Sequence, residues 1–302
     1  MKLNFKPLLL VLGLAATAYA LALLIGNQQS SADFMRQLMT PAGGLAVLLS
    51  LLNYLLRGLR WRDWMSHYQR PMERAEALRI YFAGYTFTPT PGNLGEAARG
   101  LLLAKNPLTP LQSLGIFGAE RVADLIALLL LSVPAAVWLL GLSLPMLNPM
   151  GYGLGLLLAG LVLVLTWKLA PGWLVRIQWL HESWQCLGRR PGRWLLLTLP
   201  AWAAQGLALW LLCQPLEIQI EPLMAASLYA MAMVGGALSM LPAGLGGTEA
   251  LLTALLMAQG IGLGEALGIT VLVRLLTLWL AVGLGALFLI YSAAIRKEIH
   301  LL

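Results

Sequence analysis

Apolar residues fill long stretches of this sequence, and charged residues are confined to short segments between them. Six stretches are long enough to span a bilayer as helices, because a hydrocarbon core of about 30 Å needs about 20 apolar residues. They lie at residues 7–25, 41–59, 113–140, 152–169, 194–213 and 266–292. Two further apolar stretches, 78–105 and 222–262, are interrupted by Pro and Gly. The pattern predicts an all-α membrane protein with one transmembrane domain over residues 1–302.

Composition supports a membrane domain. Of the 302 residues, 59% are hydrophobic and only 11% are charged, whereas soluble domains carry about 25% charged residues. The first apolar run follows Lys2 and Lys6 and continues for about 19 residues, past an Ala18-Tyr19-Ala20 sequence that imitates a cleavage site. That length is typical of a span rather than of a signal peptide, so we predict an uncleaved first helix.

The distribution of basic residues predicts the orientation of the chain in the membrane. Lys2 and Lys6 place the N-terminus in the cytoplasm, and arginines mark the loop after the second span as cytoplasmic: Arg57, Arg60, Arg62, Arg70, Arg74 and Arg79. The uncharged loop 141–151 and the acidic loop 214–221 read as external, and Arg296 and Lys297 read as internal. The stretch 78–105 must then start and end inside, and 222–262 must start and end outside. Each is predicted to be a re-entrant helical hairpin.

The two interrupted stretches carry related motifs. In each, a proline stands seven residues before a glutamate, and an arginine follows that glutamate after 25 residues. These residues are Pro89, Glu96 and Arg121 in the first stretch and Pro242, Glu249 and Arg274 in the second. The offset of 153 residues is close to half of the chain.

This offset predicts two repeats, over about residues 1–145 and 150–302. Each repeat would hold two spans, a re-entrant hairpin and a third span. Because three crossings is an odd number, the second repeat would be inverted relative to the first, as in many secondary transporters.

Proline and glycine should break the two hairpins near the membrane midplane. The predicted turn residues are Pro89, Pro91, Gly92, Gly95, Pro242, Gly244, Gly246 and Gly247. Irregular backbone is tolerated inside a membrane only where it lines a cavity or is covered by protein. Helices that begin near Glu96 and Glu249 would direct their N-termini into such a cavity and would favour an anionic group.

Seven ionisable residues lie in otherwise apolar sequence: Glu96, Arg99, Glu120, Arg121, Asp124, Glu249 and Arg274. Each would cost ~2.5–3.5 kcal/mol alone at a helix centre, so they must pair or face water. We predict that they form a substrate-binding site. The alternative is that they form structural salt bridges or lie near the interface. Asn53 and Arg57 are further candidates, although Arg57 also fits a topology anchor.

Other chemistry finds little support. The sequence contains no Ser-His-Asp candidate, no cluster with metal-ligand spacing and no phosphate-binding Gly-Lys-Ser/Thr loop, so we predict no catalytic residue, no metal site and no cofactor. Cys186 and Cys213 fall on opposite sides of a predicted span, which argues against a disulfide. The net charge of +7 does not indicate nucleic acid, because the basic residues flank the spans.

Three motifs occur in order along the chain: Pro91-Gly92-Asn93-Leu94-Gly95-Glu96-Ala97-Ala98-Arg99, Glu120-Arg121-Val122-Ala123-Asp124 and Pro242-Ala243-Gly244-Leu245-Gly246-Gly247-Thr248-Glu249. Together they resemble the lysylphosphatidylglycerol synthetase/flippase membrane-domain family. The resemblance implies a lipid flippase of the bacterial inner membrane with re-entrant helices around a central cavity. Members that flip lysylphosphatidylglycerol can also carry a soluble aminoacyl-transfer domain. The 302 residues contain none, so we do not expect this chain to synthesise that lipid. The family often has a basic residue where Asn93 and Leu94 stand, so the headgroup preference should differ.

We therefore predict a flippase that moves an anionic or zwitterionic phospholipid, or a polyprenyl-linked lipid, between leaflets, with both termini cytoplasmic. Two other readings remain open. One is a membrane-embedded transferase acting on a lipid-linked substrate, and the other is a non-transporting membrane scaffold. The predicted partners are membrane lipids. A homo-oligomer and a lipid-modifying enzyme partner are both compatible with the sequence.

Overall fold

A computed structural model describes residues 36–100, 103, 107–141, 177–239 and 241–294. These residues form nine α-helices, together with short 3₁₀ turns and one π-helical turn. The helices are α1 Pro41–His67, α2 Arg74–Gly84, α3 Pro110–Leu139, α4 Gln178–Gly188, α5 Pro191–Cys213, α6 Pro222–Leu238, α7 Gly247–Ala258, α8 Leu263–Arg274 and α9 Leu280–Ala294. Within this part of the chain the predicted all-helical class is confirmed. The predicted spans 7–25 and 152–169 lie outside the described residues.

Among the described residues, four helical segments are long and apolar enough to cross a membrane: Pro41–His67, Pro110–Leu139, Pro191–Leu216 and Leu263–Ser292. They correspond to four of the six predicted spans and begin within three residues of the predicted starts. The last segment joins α8 to α9 through a π-helical turn, Leu275–Trp279.

Helix starts follow from local hydrogen bonding. Thr40 caps α1, because its Oγ1 accepts a hydrogen bond from the backbone N–H of Gly43 at 3.1 Å. Thr109 and Gln112 form a reciprocal capping box at the start of α3. In both helices a proline follows the cap, at the position where a missing N–H costs nothing.

Helix α1 is longer than predicted and runs eight residues past position 59. The prediction that Arg60 belongs to a loop is therefore wrong, because Arg60 is buried within α1, as is Arg57. The helix can continue through these charges since each guanidinium finds a carboxylate on α3.

The first interrupted stretch does not continue as an α-helix after α2. After α2 the chain makes a 3₁₀ turn at Tyr85–Phe87 and then further 3₁₀ turns over Pro91–Gly100, where Gly92 and Asn93 have φ of 59° and 57°. The predicted α-helix beginning near Glu96 is therefore wrong. Thr90 holds the tight path instead, because its Oγ1 accepts from Gly95 N at 2.8 Å.

The two ends of this first stretch lie side by side. Nη2 of Arg70, which precedes α2, donates to the carbonyl oxygen of Pro107 at 2.8 Å, and Nη1 reaches Gln112 Oε1 at 3.3 Å. The chain thus returns beside its own starting point before α3 begins.

The second interrupted stretch is a helix–turn–helix. α6 and α7 pack against each other and are joined through the turn Pro242–Gly244, where Ala243, Gly244 and Gly246 have φ of 53°, 65° and 84°. α7 begins at Gly247, and Glu249 in its first turn accepts from Gly246 N at 2.7 Å. The predicted helix start near Glu249 is therefore confirmed.

Close helix contacts fix the two turns in place. α1 packs along α5, α3 packs against α6, and α9 packs against α2 and the Tyr85–Phe87 turn. At this last contact Gly285 allows the backbones to meet, because a Cβ there would lie 2.5 Å from the backbone nitrogen of Thr86. The helices thereby enclose a space between the two interrupted stretches.

We predict that Gly285→Ala destabilises the fold by ~1–3 kcal/mol, the usual cost of overpacking, because α9 must move away from Thr86. Thermal unfolding of the purified protein in detergent measures this. Gly283 is the matched control on the same helix, since a Cβ there meets no heavy atom within 4 Å. Equal midpoints for the Gly285→Ala and Gly283→Ala proteins would contradict the close-contact account.

Candidate functional site

A cavity of about 550 Å³ lies between the long helices and the two interrupted stretches. The turns at Pro91–Gly100 and Pro242–Gly244 contact each other beside it. The wall includes apolar side chains, among them Leu125, Leu128 and Met233. It also includes five charged residues: Arg57, Glu96, Arg121, Asp124 and Arg274.

Arg99 lies behind the charged wall and bridges two carboxylates. Its Nη1 lies 3.0 and 3.1 Å from the two carboxylate oxygens of Glu120, and its Nη2 bonds to Glu96. The guanidinium also stacks on Tyr81, 4.3 Å from the ring centre. Since Arg99 is 1% exposed, it fixes the Pro91–Gly100 turns to α3 from within the protein.

Asp124 is the second centre of the network. Its carboxylate accepts from Arg57 Nη2 at 2.8 Å, from Arg60 Nη1 at 2.7 Å and from Trp202 Nε1 at 3.1 Å. Arg60 Nη1 also donates to Thr198 Oγ1 at 2.8 Å. These contacts join α1, α3 and α5 at the depth of the cavity.

Arg121 is held more loosely than the other arginines of this network. Its Nη2 lies 3.4 Å from both Glu96 Oε2 and Asp124 Oδ2. Its side chain is 30% exposed, and its guanidinium carbon lies 5.1 Å from the ring centre of Phe117. Arg121 therefore presents its charge to the cavity.

The second interrupted stretch holds a simpler pair. Arg274 Nε donates to Glu249 Oε1 at 2.7 Å, and Arg274 Nη2 donates to the carbonyl oxygen of Ala243 at 2.9 Å. Arg274 thus connects α8 to the turn and to the N-terminus of α7. In both stretches the glutamate and the arginine separated by 25 residues form an ion pair.

The predicted site residues fall into three groups. Glu96, Arg121, Asp124 and Arg274 line the cavity. Arg99 and Glu120 lie behind it, and Glu249 contacts it through Arg274. Among the predicted turn residues, Gly92 and Gly244 line the cavity. Both have a positive φ, and Gly246, which is not part of the lining, also has a positive φ. Pro89, Pro91, Gly95, Pro242 and Gly247 lie in or beside the turns without left-handed backbone.

Several residues of the site were not predicted. Arg60 was assigned to topology alone, and the aromatic and amide side chains of the wall, Tyr54, Trp202, Gln205 and Tyr229, were not considered. A signal was present for α1, because Asn53, Arg57 and Arg60 recur at i, i+4 and i+7 and so share one helical face. On that face, Asn53 Nδ2 donates to the carbonyl oxygen of Ala201 at 2.8 Å.

The cavity joins the last span at its π turn. Tyr54 lines the cavity and its hydroxyl donates to the carbonyl oxygen of Leu276 at 2.5 Å. That carbonyl lies within the π turn, where the regular helical ladder is interrupted. Such turns occur often at functional positions, and this one directly follows Arg274.

The long apolar helices and the charged residues buried among them indicate a multi-pass membrane protein. The sequence matches the family described as "Lysylphosphatidylglycerol synthase TM region" over residues 9–285. The chain therefore belongs to that family, which confirms the resemblance seen in its three motifs. A search of curated proteins returned no match. Membership supports a role connected with membrane lipids.

We predict that Arg99→Gln destabilises the protein by ~3–5 kcal/mol, because removing one partner leaves buried charge uncompensated. The charges left are those of Glu96 and Glu120. Unfolding in detergent measures the change.

Arg193→Gln serves as the control for this effect. Arg193 pairs with Asp63 at 2.6 Å, but its side chain is 53% exposed, and exposed pairs contribute ~1 kcal/mol or less. Adding Glu120→Gln to Arg99→Gln should restore part of the stability, since it removes one of the two carboxylates that lose their contact with Arg99. Similar losses for Arg99→Gln and Arg193→Gln would contradict the burial argument.

Proposed function

We propose that this protein is a lipid flippase of the bacterial inner membrane that carries a phosphate-containing lipid headgroup through the central cavity. The observation that carries the proposal is the cavity itself. It places an accessible arginine beside an apolar wall within a multi-pass protein of a lipid-related family.

The composition of the wall suits an amphiphile. A headgroup would lie against the charged side, and the first carbons of the acyl or prenyl chains would lie against Leu125, Leu128 and Met233. Arg121 and Arg274 are suited to phosphate, because a guanidinium offers a planar set of donors that matches phosphate oxygens. Glu96 and Glu249 orient these two arginines through the pairs described above.

The interrupted stretches support an inverted-repeat transporter. Arg70 contacts Pro107, as expected if the first stretch enters and leaves on one side of the membrane. α6 and α7 pack together as the two arms of a second hairpin. Matching Glu–Arg pairs belong to both stretches. We propose that two inverted repeats rock about the turns and open the cavity to each leaflet in turn.

This proposal favours transport over catalysis. The partners are membrane lipids, and both termini lie in the cytoplasm. A membrane-embedded transferase would instead yield a chemically altered lipid, and a scaffold would leave lipid distribution unchanged. The same reconstituted system distinguishes the three.

We predict that purified protein accelerates the exchange of phosphatidylglycerol, phosphatidylethanolamine or polyprenyl phosphate, each carrying a fluorescent label on its hydrocarbon tail, between the leaflets of proteoliposomes. Dithionite quenching measures the exchange. Arg274→Gln should slow the movement of the best substrate about tenfold or more, because it removes charge-assisted hydrogen bonds worth ~1.5–3 kcal/mol.

Arg193→Gln, which lies outside the cavity wall, should retain the native rate. Mass spectrometry of the same vesicles should show unmodified lipid. A new lipid species would support the transferase. Folded protein that moves none of the three lipids would contradict the flippase proposal.

We predict that single cysteines at each end of one stretch react on the same side of the membrane. Gln69→Cys and Pro107→Cys should react with an impermeant maleimide only in inverted vesicles, and Gln219→Cys and Ala258→Cys only in intact cells. The wild type is the control: Cys186 and Cys213 are buried, and burial raises the pKa of the Cys186 thiol to about 12. Opposite sides within either pair would show that the stretch crosses the membrane.

A further inference from the structure

The charges around the cavity do not balance. Three arginines and two carboxylates line it: Arg57, Arg121 and Arg274 against Glu96 and Asp124. The groups directly behind them, Arg60 and Arg99 with Glu120 and Glu249, are equal in number and opposite in sign. The described residues therefore leave one positive charge at the cavity.

This excess charge is presented by Arg121. The other two arginines of the wall have ion pairs of 2.7–2.8 Å, whereas Arg121 has two contacts of 3.4 Å and the most exposed side chain of the network. Arg121 can therefore bind an incoming anion at little cost to its present contacts.

The carboxylates of the wall have no free oxygen for a cation. Oε1 of Glu96 accepts from Thr88, and Oε2 accepts from Arg99 and Arg121. Asp124 Oδ1 accepts from Arg60 and Trp202, and its Oδ2 faces Arg57 and Arg121. An ammonium group entering the cavity would have to share these oxygens with donors already bound to them, most of which are arginines that repel it.

We infer that the protein selects lipids whose headgroups carry net negative charge and discriminates against aminoacylated, cationic headgroups. An anion neutralises the excess charge in a site of low dielectric, whereas a cation adds to it. This inference deepens the proposed function, on which it rests for transport. It sets this chain apart from a carrier of lysylphosphatidylglycerol.

Binding to the detergent-solubilised protein tests the inference without transport. Native mass spectrometry compares phosphatidylglycerol, phosphatidylethanolamine and lysylphosphatidylglycerol with identical acyl chains, so that net headgroup charge is the main variable. We predict that phosphatidylglycerol binds about tenfold or more tightly than lysylphosphatidylglycerol, with phosphatidylethanolamine between them. Equal or reversed affinities would overturn the inference.

The Arg121→Gln protein tests the assignment to this residue. Its cavity is neutral, so the preference for phosphatidylglycerol over lysylphosphatidylglycerol should fall to about threefold or less. Arg193→Gln keeps the cavity charge and should retain the full preference. An undiminished preference in folded Arg121→Gln protein would overturn the role of Arg121.

Two further measurements separate the sources of an anionic ligand and the modes of failure. sn-Glycerol 3-phosphate should compete weakly with phosphatidylglycerol, because it lacks acyl chains to cover the apolar wall. Complete displacement at equal concentration would indicate a soluble phosphate compound and overturn the lipid assignment.

Charge-selective binding without transport would refute the flippase function while supporting the headgroup inference. Transport of all three lipids at equal rates would do the reverse.

Discussion

The structure depends on one electrostatic constraint: a charge buried among apolar helices must be paired. The three carboxylates at Glu96, Glu120 and Asp124 are contacted by four guanidinium groups that come from α1, α3 and the Pro91–Gly100 turns. These pairs keep irregular backbone inside the membrane domain, where hydrophobic packing alone would not specify its path. Arg99 shows the effect most directly, because it occupies the space in which a side chain at Gly84 would lie.

The two interrupted stretches share a pattern but differ in charge content. Both hold a Glu–Arg pair at the same spacing, which connects a turn to the following long helix. Within the described part of the chain, the first pair also belongs to a larger network that includes Arg57, Arg60, Arg99 and Glu120. At the 153-residue offset, Arg57, Arg99 and Asp124 correspond to Trp210, Leu252 and Thr277. The cavity therefore has one strongly charged side, and an asymmetric ligand would meet different chemistry on its two faces.

The sequence was sufficient to predict the long helices, the two breaks and most of the buried charges, because each depends on local composition or fixed spacing. The 25-residue spacing between glutamate and arginine in both stretches was visible for the same reason. Arg60 was misjudged, since arginines near a span end usually mark topology, and only its long-range partner Asp124 shows otherwise. The 3₁₀ path around Glu96 was likewise beyond local rules. It depends on Thr88, Thr90 and Arg99 contacting particular partners. Trp202 and Tyr229 line the cavity because α5 packs against α6. The pattern of apolar residues does not show how two such helices align, so it could not predict these two lining residues.

The four long segments contain 26 to 30 residues, and at 1.5 Å per residue they measure about 39–45 Å. A hydrocarbon core of ~30 Å is considerably shorter. The segments must therefore tilt or extend into the headgroup regions. Since the arginines of α1 and α3 are tied to one another at the depth of the cavity, a change in tilt at the helix ends is transmitted to those contacts. The shape of the cavity should therefore depend on the thickness of the surrounding bilayer, even when no ligand is bound.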